Sequence, residues 1–276
     1  MTDKYAVIGN PIAHSKSPII HAEFAKQTNQ DISYEAVLAP INGLEAVVRD
    51  LIAKGYKGAN VTVPFKFEAF ELCDDLSFYA KGAGAVNILT FDEYCIKGEN
   101  TDGYGLVTDI LGNLDFSLEN KDVLIIGAGG AARGVFLSII SALPASITIA
   151  NRTLAKAKWM IQNMPVEHDV RAFAAITFEH LSLLHKQQFD IVINATSIGL
   201  TDTALPIPNS IFAKNCLAYD MMYGRETPFM AQARAAGAQV SDGLGMLVEQ
   251  AAEAFFIWRG VRPETAPVIA MLRKAN

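Results

Sequence analysis

The sequence predicts an α/β fold with a mostly parallel sheet. Short apolar runs typical of buried strands alternate with helix-like segments along the chain, and this alternation is typical of α/β folds. One run is followed by a glycine-rich turn and an apolar helical face, which is the arrangement of a dinucleotide-binding unit. The length of 276 residues and the hydrophobic content of 51% suit about two domains.

The candidate strands are short and rich in β-branched or apolar residues. They are Tyr5–Ile8, Ser33–Leu38, Ala59–Val61, Val86–Phe91, Asp122–Ile126, Ser146–Ala150, Ile191–Asn194 and Leu217–Asp220. A helix is predicted between the second and third strands by residues recurring at helical spacing, namely Leu44, Val47, Val48, Leu51 and Ile52. Gly55 is placed to end that helix.

The charge of the chain is mildly acidic and evenly spread. There are 23 Lys and Arg against 29 Asp and Glu, a formal net charge of -6. Proteins that bind nucleic acids or anionic membranes usually carry basic clusters, and none stands out in this sequence. We therefore expect no nucleic-acid or membrane partner, and we expect any anion to be held by local groups. The expected partner is a small-molecule substrate, and the expected state is a monomer or a homodimer.

The cysteines and the apolar segments indicate a cytoplasmic protein. Cys73, Cys95 and Cys216 are far apart, without CxxC spacing, so we expect neither a disulfide framework nor a cysteine metal site. Asn10 and Pro11 interrupt the N-terminal apolar run, so a signal peptide is not expected. The apolar stretch 135–151 is broken by Pro144, Ser146 and Thr148, which argues against a membrane span.

The domain borders are predicted from punctuation and motifs. The glycine-rich stretch 98–105 separates a hairpin-like region, 88–98, from a new helix. The segment after residue 240 comes too late to add an ordinary βα unit to the second domain, so it is expected to fold back onto the first. We predict one domain over 1–102 and 240–276, and a dinucleotide-binding domain over 103–239.

The glycine-rich turn is the clearest nucleotide signature. The apolar run 123–126 suits a central strand, and Val135, Phe136 and Ile139 continue as one helical face. Gly127, Gly129 and Gly130 lie between them, where glycine permits a tight turn and a close approach to a pyrophosphate. The alternative is a tight turn without a ligand. Arg133 follows, either as a solvated side chain or as a cofactor contact.

The end of the next strand predicts the phosphorylated cofactor. NAD enzymes place an acidic residue there for the ribose hydroxyls, whereas an arginine accommodates a 2'-phosphate. Asn151 stands at the acidic position and is followed by Arg152, Thr153 and Lys156. This favours NADP over NAD, although Arg152 and Lys156 could merely solvate the start of a helix.

A further group of polar residues follows the strand that ends at Asn194. Thr196 and Ser197 come directly after it, at the edge where parallel sheets bind ligands. We predict cofactor contacts here. The alternative is that these residues only cap the following segment.

Polar residues of the first domain form a second candidate site. Ser15 and Ser17 precede a helix and could together bind one carboxylate, although Ser17 beside Pro18 could equally be an N-cap. His14 and His21 lack partners at metal-ligand spacing, so structural roles are expected for both.

More polar side chains follow strand ends in the same domain. They are Asn60, Thr62, Lys66, Asn87, Thr101 and Asp102. Each is ordinary alone, since a lysine after a turn is usually solvated and Asp102 could cap the next helix. Their number at loop positions suggests a ligand site.

The ordered motifs resemble the shikimate dehydrogenase family. They are GNPIAHSKSP, NVTVPFK, GAVN, NTDG, GAGGAAR, NRT, NATSIG, YDMMYGRETPF and DGLGMLVEQ, spread from residue 9 to about residue 256. The resemblance implies reversible NADPH-dependent reduction of 3-dehydroshikimate to shikimate in aromatic amino-acid (chorismate) biosynthesis. It also implies that the first, discontinuous domain is the substrate-binding and catalytic domain and that the second is a Rossmann-type domain, with the active site in the cleft between them.

The resemblance also implies roles for single residues. Lys66 and Asp102 would be the catalytic pair, and Ser15 and Ser17 would hold the substrate carboxylate. The substrate's ring oxygens would bind Asn60, Thr62, Asn87, Asp102 and Gln250, with Tyr223 reaching the substrate. The cofactor would bind Gly127, Gly129, Gly130 and Ala131 through its pyrophosphate, Asn151, Arg152, Thr153 and Lys156 through its adenosine phosphate, and Thr196, Met221, Gly243 and Met246 around its nicotinamide.

Two departures from the family pattern limit the transfer. Ile88 stands where a threonine is frequent, which weakens that loop as a polar contact. Lys156 stands where an arginine often appears, so weaker NADP affinity is expected.

Two other functions compete with this assignment. One is an NAD-dependent quinate/shikimate dehydrogenase, which Asn151 argues against. The other is a non-catalytic NADP-binding regulatory module, which the presence of Lys66 and Asp102 argues against. The positions of the first and last motifs predict a stand-alone enzyme.

Overall fold

The computed structural model describes residues 2–163, 172–183, 187–196, 198 and 203–274. The chain divides into two compact units. The first comprises Met1–Gly105 and Leu247–Asn276, and the second comprises Leu106–Met246. The second border lies later than the predicted one because the strand Gln239–Ser241 pairs with the sheet of the second unit.

The first unit contains a mixed sheet in the order β2-β1-β3-β5-β6-β4. Its strands are β1 (Asp3–Gly9), β2 (Ile32–Leu38), β3 (Tyr56–Val61), β4 (Asp75–Leu76), β5 (Ile88–Phe91) and β6 (Ile96–Glu99). β1, β2 and β3 pair in parallel, whereas β5 is antiparallel to both β3 and β6. The predicted hairpin-like region is therefore confirmed as β5 and β6.

The first unit contains helices from both ends of the chain. They are α1 (Ser17–Thr28), α2 (Leu44–Ala53), α3 (Lys66–Glu71), α4 (Phe78–Ala83) and, after the second unit, α11 (Ala266–Lys274). α2 buries Leu44, Val48 and Leu51 but leaves Ile52 exposed. Gly55 follows it with a positive φ of 78°, a conformation that glycine adopts at little cost, so the predicted helix end is confirmed.

Two helices cross the border between the units along the chain. α5 (Asp102–Thr108) runs into a π-helical turn, Asp109–Asn113, and α10 (Leu244–Arg259) begins in the second unit and continues in the first. Within the first unit, Arg259 of α10 binds Asp3 of β1 and Gln30. The end of α10 is thereby attached to the start of the sheet.

The second unit contains a parallel sheet in the order β12-β11-β10-β7-β8-β9. Its elements are β7 (Asp122–Ile126), α6 (Gly130–Ser141), β8 (Ser146–Ala150), α7 (Leu154–Gln162), β9 (Ala172–Ile176), α8 (Phe178–Leu183), β10 (Phe189–Asn194), a 3₁₀ turn (Asn209–Ile211), β11 (Phe212–Asp220), α9 (Pro228–Ala235) and β12 (Gln239–Ser241). This strand order is that of the dinucleotide-binding doubly wound fold, with its switch point between β7 and β10.

The central strand β7 shows why this sheet forms. Val123 and Ile125 pack into one apolar cluster and Leu124 and Ile126 into another, so the strand is buried on both faces. A continuous apolar run is expected for such a parallel strand. The predicted α/β class is confirmed, while the strands β4, β9 and β12 were not predicted.

The described residues also bear on the membrane, metal and cysteine predictions. Among them, no helix combines the length and the apolar character needed to cross a bilayer, and no cluster of His, Cys, Asp or Glu could hold a metal ion. The three cysteines are free thiols. Burial raises the pKa of Cys73 and of Cys216 to about 12, so neither forms appreciable thiolate near neutral pH.

Candidate active site and cofactor-binding turn

Lys66 and Asp102 form a largely buried ion pair. Lys66 begins α3 just after the turn that follows β3, and its Nζ donates to Asp102 Oδ2. Their side chains are only 18% and 7% exposed. The alternative of a solvated lysine is therefore wrong for Lys66. Taking two charges out of water costs free energy, and this cost offsets most of the attraction between them. A buried ion pair therefore contributes little to the stability of the fold.

Asn87 joins this pair to neighbouring polar groups. Its Nδ2 donates to Asp102 Oδ1 at 2.9 Å and to Gln250 Oε1 at 3.4 Å, while its Oδ1 accepts from the backbone N–H of Thr101 at 2.9 Å. We call Lys66, Asn87, Thr101, Asp102 and Gln250 the polar cluster. Gln250 comes from α10, so two distant parts of the sequence build one site.

Asp102 does not act as a helix cap. It is the first residue of α5, and its side chain binds Lys66 and Asn87 instead. The N–H of Asp102 donates to Asn100 Oδ1 at 3.1 Å. Asn100 therefore supplies the capping contact and leaves the carboxylate for the polar cluster.

Asn60 and Thr62 lie at the end of β3, beside the polar cluster. Asn60 is 6% exposed, and its Nδ2 donates to the carbonyl oxygen of Asn87 at 3.3 Å. Thr62 is half-buried, and its N–H donates to the carbonyl of Ile8 at 2.9 Å. Ile88, which stands where the family frequently has threonine, is fully buried in β5. Its side chain therefore packs in the hydrophobic core.

Ser15 and Ser17 lie together at the start of α1. The N–H of Ser17 donates to Ser15 Oγ at 3.3 Å, and Pro18 occupies the first turn. Ser17 is the first helical residue and makes no side-chain cap, so the N-cap alternative is wrong. The two hydroxyls lie at the positive end of a helix whose first turn has no acidic residue, which suits a carboxylate.

The two histidines differ. His14 is exposed, whereas His21 of α1 is fully buried and stacks on Tyr34, with ring centroids 4.0 Å apart and planes 6° from parallel. Among the described residues, neither ring nitrogen of His21 has a hydrogen-bond partner. Burial lowers its pKa to about 3, against a smaller opposite effect of the nearby Asn60 amide. His21 is structural, but its nitrogens are unsatisfied.

The glycine-rich turn joins β7 to α6. Gly127 has a φ of +111°, and a Cβ there would lie 3.0 Å from the carbonyl oxygen of Ala195, so only glycine fits. A Cβ on Gly129 would meet nothing within 4 Å, which leaves open space at the N-terminus of α6. Gly130 and Ala131 begin this helix, where a pyrophosphate would find free N–H donors. The turn fits a dinucleotide.

Arg133, one helical turn further on, packs against an aromatic ring. Its guanidinium lies 3.9 Å from the ring centroid of Trp159, a cation-π geometry. Partial burial lowers its pKa. Of the two alternatives for Arg133, the solvated side chain is therefore wrong, and the cofactor contact stays a prediction.

The loop after β8 carries cations and no carboxylate. The side chain of Asn151 donates to the carbonyl of Thr153 at 2.9 Å, which shapes the turn into α7. Arg152, Thr153 and Lys156 are exposed. An exposed guanidinium beside an exposed ammonium fits a phosphate monoester.

Asn194 at the end of β10 hydrogen-bonds to residues that follow β10 and end β11. Its Oδ1 accepts from the N–H of Thr196 at 3.1 Å and from Thr196 Oγ1 at 2.7 Å. Its Nδ2 donates to the buried carboxylate of Asp220 at 3.2 Å. Thr196 also lies against Gly127, at the switch point. Ser197 lies outside the described residues.

Met221, Gly243 and Met246 come together at the same edge of the second sheet. A Cβ on Gly243 would lie 2.4 Å from the carbonyl oxygen of Met221, so the two backbones touch. Met221 packs on the apolar cluster that contains Met246. Tyr223 is half-buried in the loop after β11, and burial raises its pKa.

Three contributors were not predicted from the sequence. Tyr34 donates from its hydroxyl to Asn60 Oδ1 at 2.6 Å, Asn100 caps α5, and Asp220 accepts from Asn194, from Thr227 Oγ1 at 2.5 Å and from the N–H of Met222 at 3.0 Å. Burial raises the pKa of Asp220. Only Asp220 carried a signal, since an acidic residue ending an apolar strand stands out. Tyr34 lies within an ordinary strand.

Three family models match successive parts of the chain. Residues 7–89 match the shikimate dehydrogenase substrate binding domain. Residues 107–201 match the shikimate / quinate 5-dehydrogenase model, and residues 243–273 match the shikimate 5'-dehydrogenase C-terminal domain. The matches cover both units.

Similar proteins carry the same family name. The shikimate dehydrogenase (NADP(+)) of Methylobacillus flagellatus is 57% identical, over 99% of this chain and 100% of that protein. The crystal structure of an Ael1 enzyme from Pseudomonas putida shares 45% identity and a TM-score of 0.91, over 98% of each chain. Shikimate 5-dehydrogenase from Thermus thermophilus, in complex with NADP(H) and shikimate, shares 30% identity and a TM-score of 0.86, over 100% of each chain. This chain belongs to the NADP-dependent shikimate dehydrogenase family of oxidoreductases.

Proposed function

We propose that this protein catalyses the reversible NADPH-dependent reduction of 3-dehydroshikimate to shikimate, with Lys66 and Asp102 as the acid-base pair. The observation that supports it most is the buried Lys66–Asp102 pair, bonded through Asn87 to Gln250. An ion pair on the protein surface would contribute little to stability and would be screened by water. An ammonium held inside a polar cluster is suited to act on a bound substrate.

The hydrogen-bonding groups around this pair suit a hydroxylated carboxylic acid. Ser15 and Ser17, at the positive end of α1, would hold the carboxylate. The ring oxygens would bind the amides of Asn60, Asn87 and Gln250 and the hydroxyl of Thr62. Tyr223 of the second unit would contribute a further hydroxyl contact.

The proton needed for reduction would come from Lys66. NADPH, when bound, supplies the hydride to the carbonyl carbon. The carbonyl oxygen then gains negative charge, and the Lys66 ammonium stabilises that charge and transfers its proton to the oxygen. Asp102 balances the charge of the ammonium and orients it. In the oxidative direction the unprotonated lysine takes the hydroxyl proton back.

The cofactor contacts would come from the second unit. Gly127, Gly129, Gly130 and Ala131 would hold the pyrophosphate with backbone N–H groups. Asn151, Arg152, Thr153 and Lys156 would hold the adenosine phosphate. The nicotinamide site would be lined by Thr196, Met221, Gly243 and Met246. Ser197, the residue after Thr196, would also contact the cofactor.

The biological setting follows from the same proposal. Shikimate formation places the enzyme in aromatic amino-acid biosynthesis, with the first unit as substrate-binding domain and the second as NADP-binding domain. Location in the cytoplasm and a monomeric or homodimeric state stay predictions from the sequence.

Initial rates test the proposal directly. Shikimate and quinate are each combined with NADP and with NAD, and cofactor reduction is followed by absorbance. We expect the highest kcat/KM for shikimate with NADP. A preference for quinate with NAD would contradict both specificities, and NADPH binding without turnover of either acid would indicate a non-catalytic module.

A further inference from the structure

Tyr34 connects two parts of the proposed substrate site. Its hydroxyl donates to Asn60 Oδ1 at 2.6 Å, and Ser17 lies near enough to the same hydroxyl to oppose slightly the burial that raises the pKa of Tyr34. Ser17 belongs to the proposed carboxylate site and Asn60 to the proposed ring-oxygen site. A single phenol therefore joins α1 to the end of β3.

The register of the sheet explains how this contact arises. Tyr34 in β2 is aligned with Tyr5 in β1, and Tyr5 is aligned with Gly58 in β3. Because side chains two residues apart share a face, Asn60 lies on the same face as Gly58. The long side chain of Tyr34 reaches across β1 to the amide of Asn60.

The contact with Tyr34 fixes which way the Asn60 amide points. Its Oδ1 accepts from Tyr34, and one Nδ2 proton donates to the carbonyl of Asn87 at 3.3 Å. An asparagine amide has two N–H donors, so one remains for a ligand. Asn60 therefore presents a donor, and its acceptor is engaged by the phenol.

The ring of His21 fixes Tyr34 in turn. The two rings stack with centroids 4.0 Å apart, and the rings of Phe24, Phe255 and Trp258 lie within about 6 Å of the imidazole. Burial keeps both groups neutral, since it lowers the pKa of His21 to about 3 and raises the pKa of Tyr34 well above its usual value. The imidazole acts here as a flat aromatic surface.

We propose that Tyr34 is a positioning residue that fixes the side-chain amide of Asn60 as a hydrogen-bond donor to the substrate, and that His21 holds the phenol in place. The site then selects a substrate with an acceptor oxygen, a hydroxyl or carbonyl, at the position facing Asn60. This inference rests on the proposed function of the site and adds two residues to it.

Tyr34→Phe tests the first part, because it keeps the stacked ring and removes only the hydroxyl. Loss of one hydrogen bond to an engaged amide corresponds to about a tenfold fall in kcat/KM for shikimate, mainly through KM, with KM for NADP unchanged. Tyr56→Phe is the matched control, since Tyr56 also bonds a neighbouring side chain, Glu35, but at an exposed position. Equal kinetics of the two variants would overturn the proposal.

A double-mutant cycle with Asn60→Ala tests whether Tyr34 acts through Asn60. We expect Tyr34→Phe to cause no further loss in kcat/KM once the amide is absent. A loss of the same size in both backgrounds would mean that Tyr34 acts by another route, and the proposal would be wrong.

A measurement without substrate separates this proposal from the proposed function. The side-chain NH₂ signals of Asn60, observed by ¹⁵N NMR, should be two resolved, slowly exchanging protons in the wild type and should broaden or exchange faster in Tyr34→Phe. Unchanged signals would contradict positioning even if shikimate is turned over. An inactive wild type with the expected NMR change would contradict only the proposed function.

Paired substitutions test the role of His21. His21→Ala removes the stacked ring and should reproduce most of the loss seen in Tyr34→Phe, whereas His21→Phe keeps an aromatic surface and should recover most of it. If His21→Ala does not fold, the kcat/KM values of His21→Phe and Tyr34→Phe are compared to test the role of His21. A loss in His21→Phe as large as that in Tyr34→Phe would exclude a purely aromatic role.

Discussion

The polar cluster of the first unit and the glycine-rich turn of the second are built by different physical means. In the polar cluster, buried side chains from distant parts of the sequence bond to one another, as Asn87 does with Asp102 and Gln250. At the turn, backbone conformation prepares the site, and the cations after β8, Arg152 and Lys156, are exposed. Substitutions should therefore have unequal consequences.

The difference follows from what each substitution leaves behind. Removing one partner of a buried bonded pair leaves the other group without water or protein to satisfy it, which costs several kcal/mol. Removing an exposed cation leaves nothing buried, so only the contact with the ligand is lost. At the turn, the sensitive property is the space and the φ angle at Gly127, because its Cβ would approach the carbonyl of Ala195.

Lys66→Ala should give the largest effect, on the substrate side. Without the ammonium, the developing alkoxide loses both its charge stabilisation and its proton donor, and kcat should fall about a thousandfold or more. NADPH affinity should stay within about twofold, because the proposed cofactor contacts lie in the second unit. Steady-state rates and NADPH fluorescence titration measure the two quantities.

Lys97→Ala provides the matched control for that substitution. Lys97 also pairs with an aspartate, Asp92, at 3.0 Å, but both side chains are about half exposed, at 51% and 52%. Its kcat should match the wild type. Wild-type turnover in Lys66→Ala would remove the lysine from the mechanism.

Gly127→Ala should give the largest effect on the cofactor side. Alanine at a φ of +111° is strained by roughly 1–3 kcal/mol, and its Cβ would press on the carbonyl of Ala195. NADPH affinity should fall about 10- to 100-fold, measured by fluorescence titration. Gly112→Ala, at a position with open space around the added Cβ, should leave affinity unchanged, and equal affinities of both variants would contradict the strain argument.

The sequence predicted the second unit in more detail than the first. Strand, turn and helix are local patterns, so the glycine-rich turn and the parallel sheet around β7 are confirmed with the predicted bounds of β7 and β8. The contact between Tyr34 and Asn60 depends on the register of β2, β1 and β3, which spacing does not encode. The sequence likewise could not show that Asp102 bonds Lys66 and Asn87 rather than capping α5, because these partners are distant along the chain.

Some misses have a simple physical reason. β4 has only two residues and β12 only three, too few to show a strand pattern. β9 is AFAAI, and alanine is depleted in strands. The sequence left the environment of Arg133 open because its partner, Trp159, belongs to the next helix. The missed strands and the environment of Arg133 both depend on contacts between elements that are separate in the sequence.

Arg152→Ala tests the phosphate discrimination of the exposed loop. A charge-assisted hydrogen bond contributes about 1.5–3 kcal/mol, so NADP affinity should fall about 10- to 100-fold. NAD affinity should change little, because NAD lacks the 2'-phosphate. Calorimetric titration with both cofactors measures the change, and an equal loss for NAD would place Arg152 outside the discriminating contacts.

His21→Phe should alter the pH dependence of stability. The pKa of His21 is about 3 in the fold and about 6.5 when unfolded, so only the unfolded state gains a proton as pH falls below about 6.5. The free energy of unfolding should therefore decrease by up to about 1.4 kcal/mol per pH unit between those values. Phenylalanine removes this dependence and two unsatisfied nitrogens.

Urea unfolding at several pH values measures this difference. The buried carboxyl of Asp220, whose pKa is raised, acts in the opposite direction, but it is present in both proteins and cancels in the comparison. The variant should gain on the wild type steadily below about pH 6.5. Parallel curves for the two proteins would show that His21 is protonated in the folded state.

Lys156→Arg should give the smallest effect, and it is the one substitution expected to raise cofactor affinity. Lys156 and Arg152 are both exposed beside Asn151, where a second planar guanidinium could grip a phosphate with two hydrogen bonds rather than one point charge. Exposed ion pairs contribute about 0.2–1 kcal/mol, so NADP affinity should rise only about threefold, with NAD affinity unchanged. The gain should disappear when the salt concentration is raised, because salt screens exposed charges, whereas the effect of Gly127→Ala should persist. An affinity gain that is equal for NAD would show that residue 156 contacts another part of the cofactor.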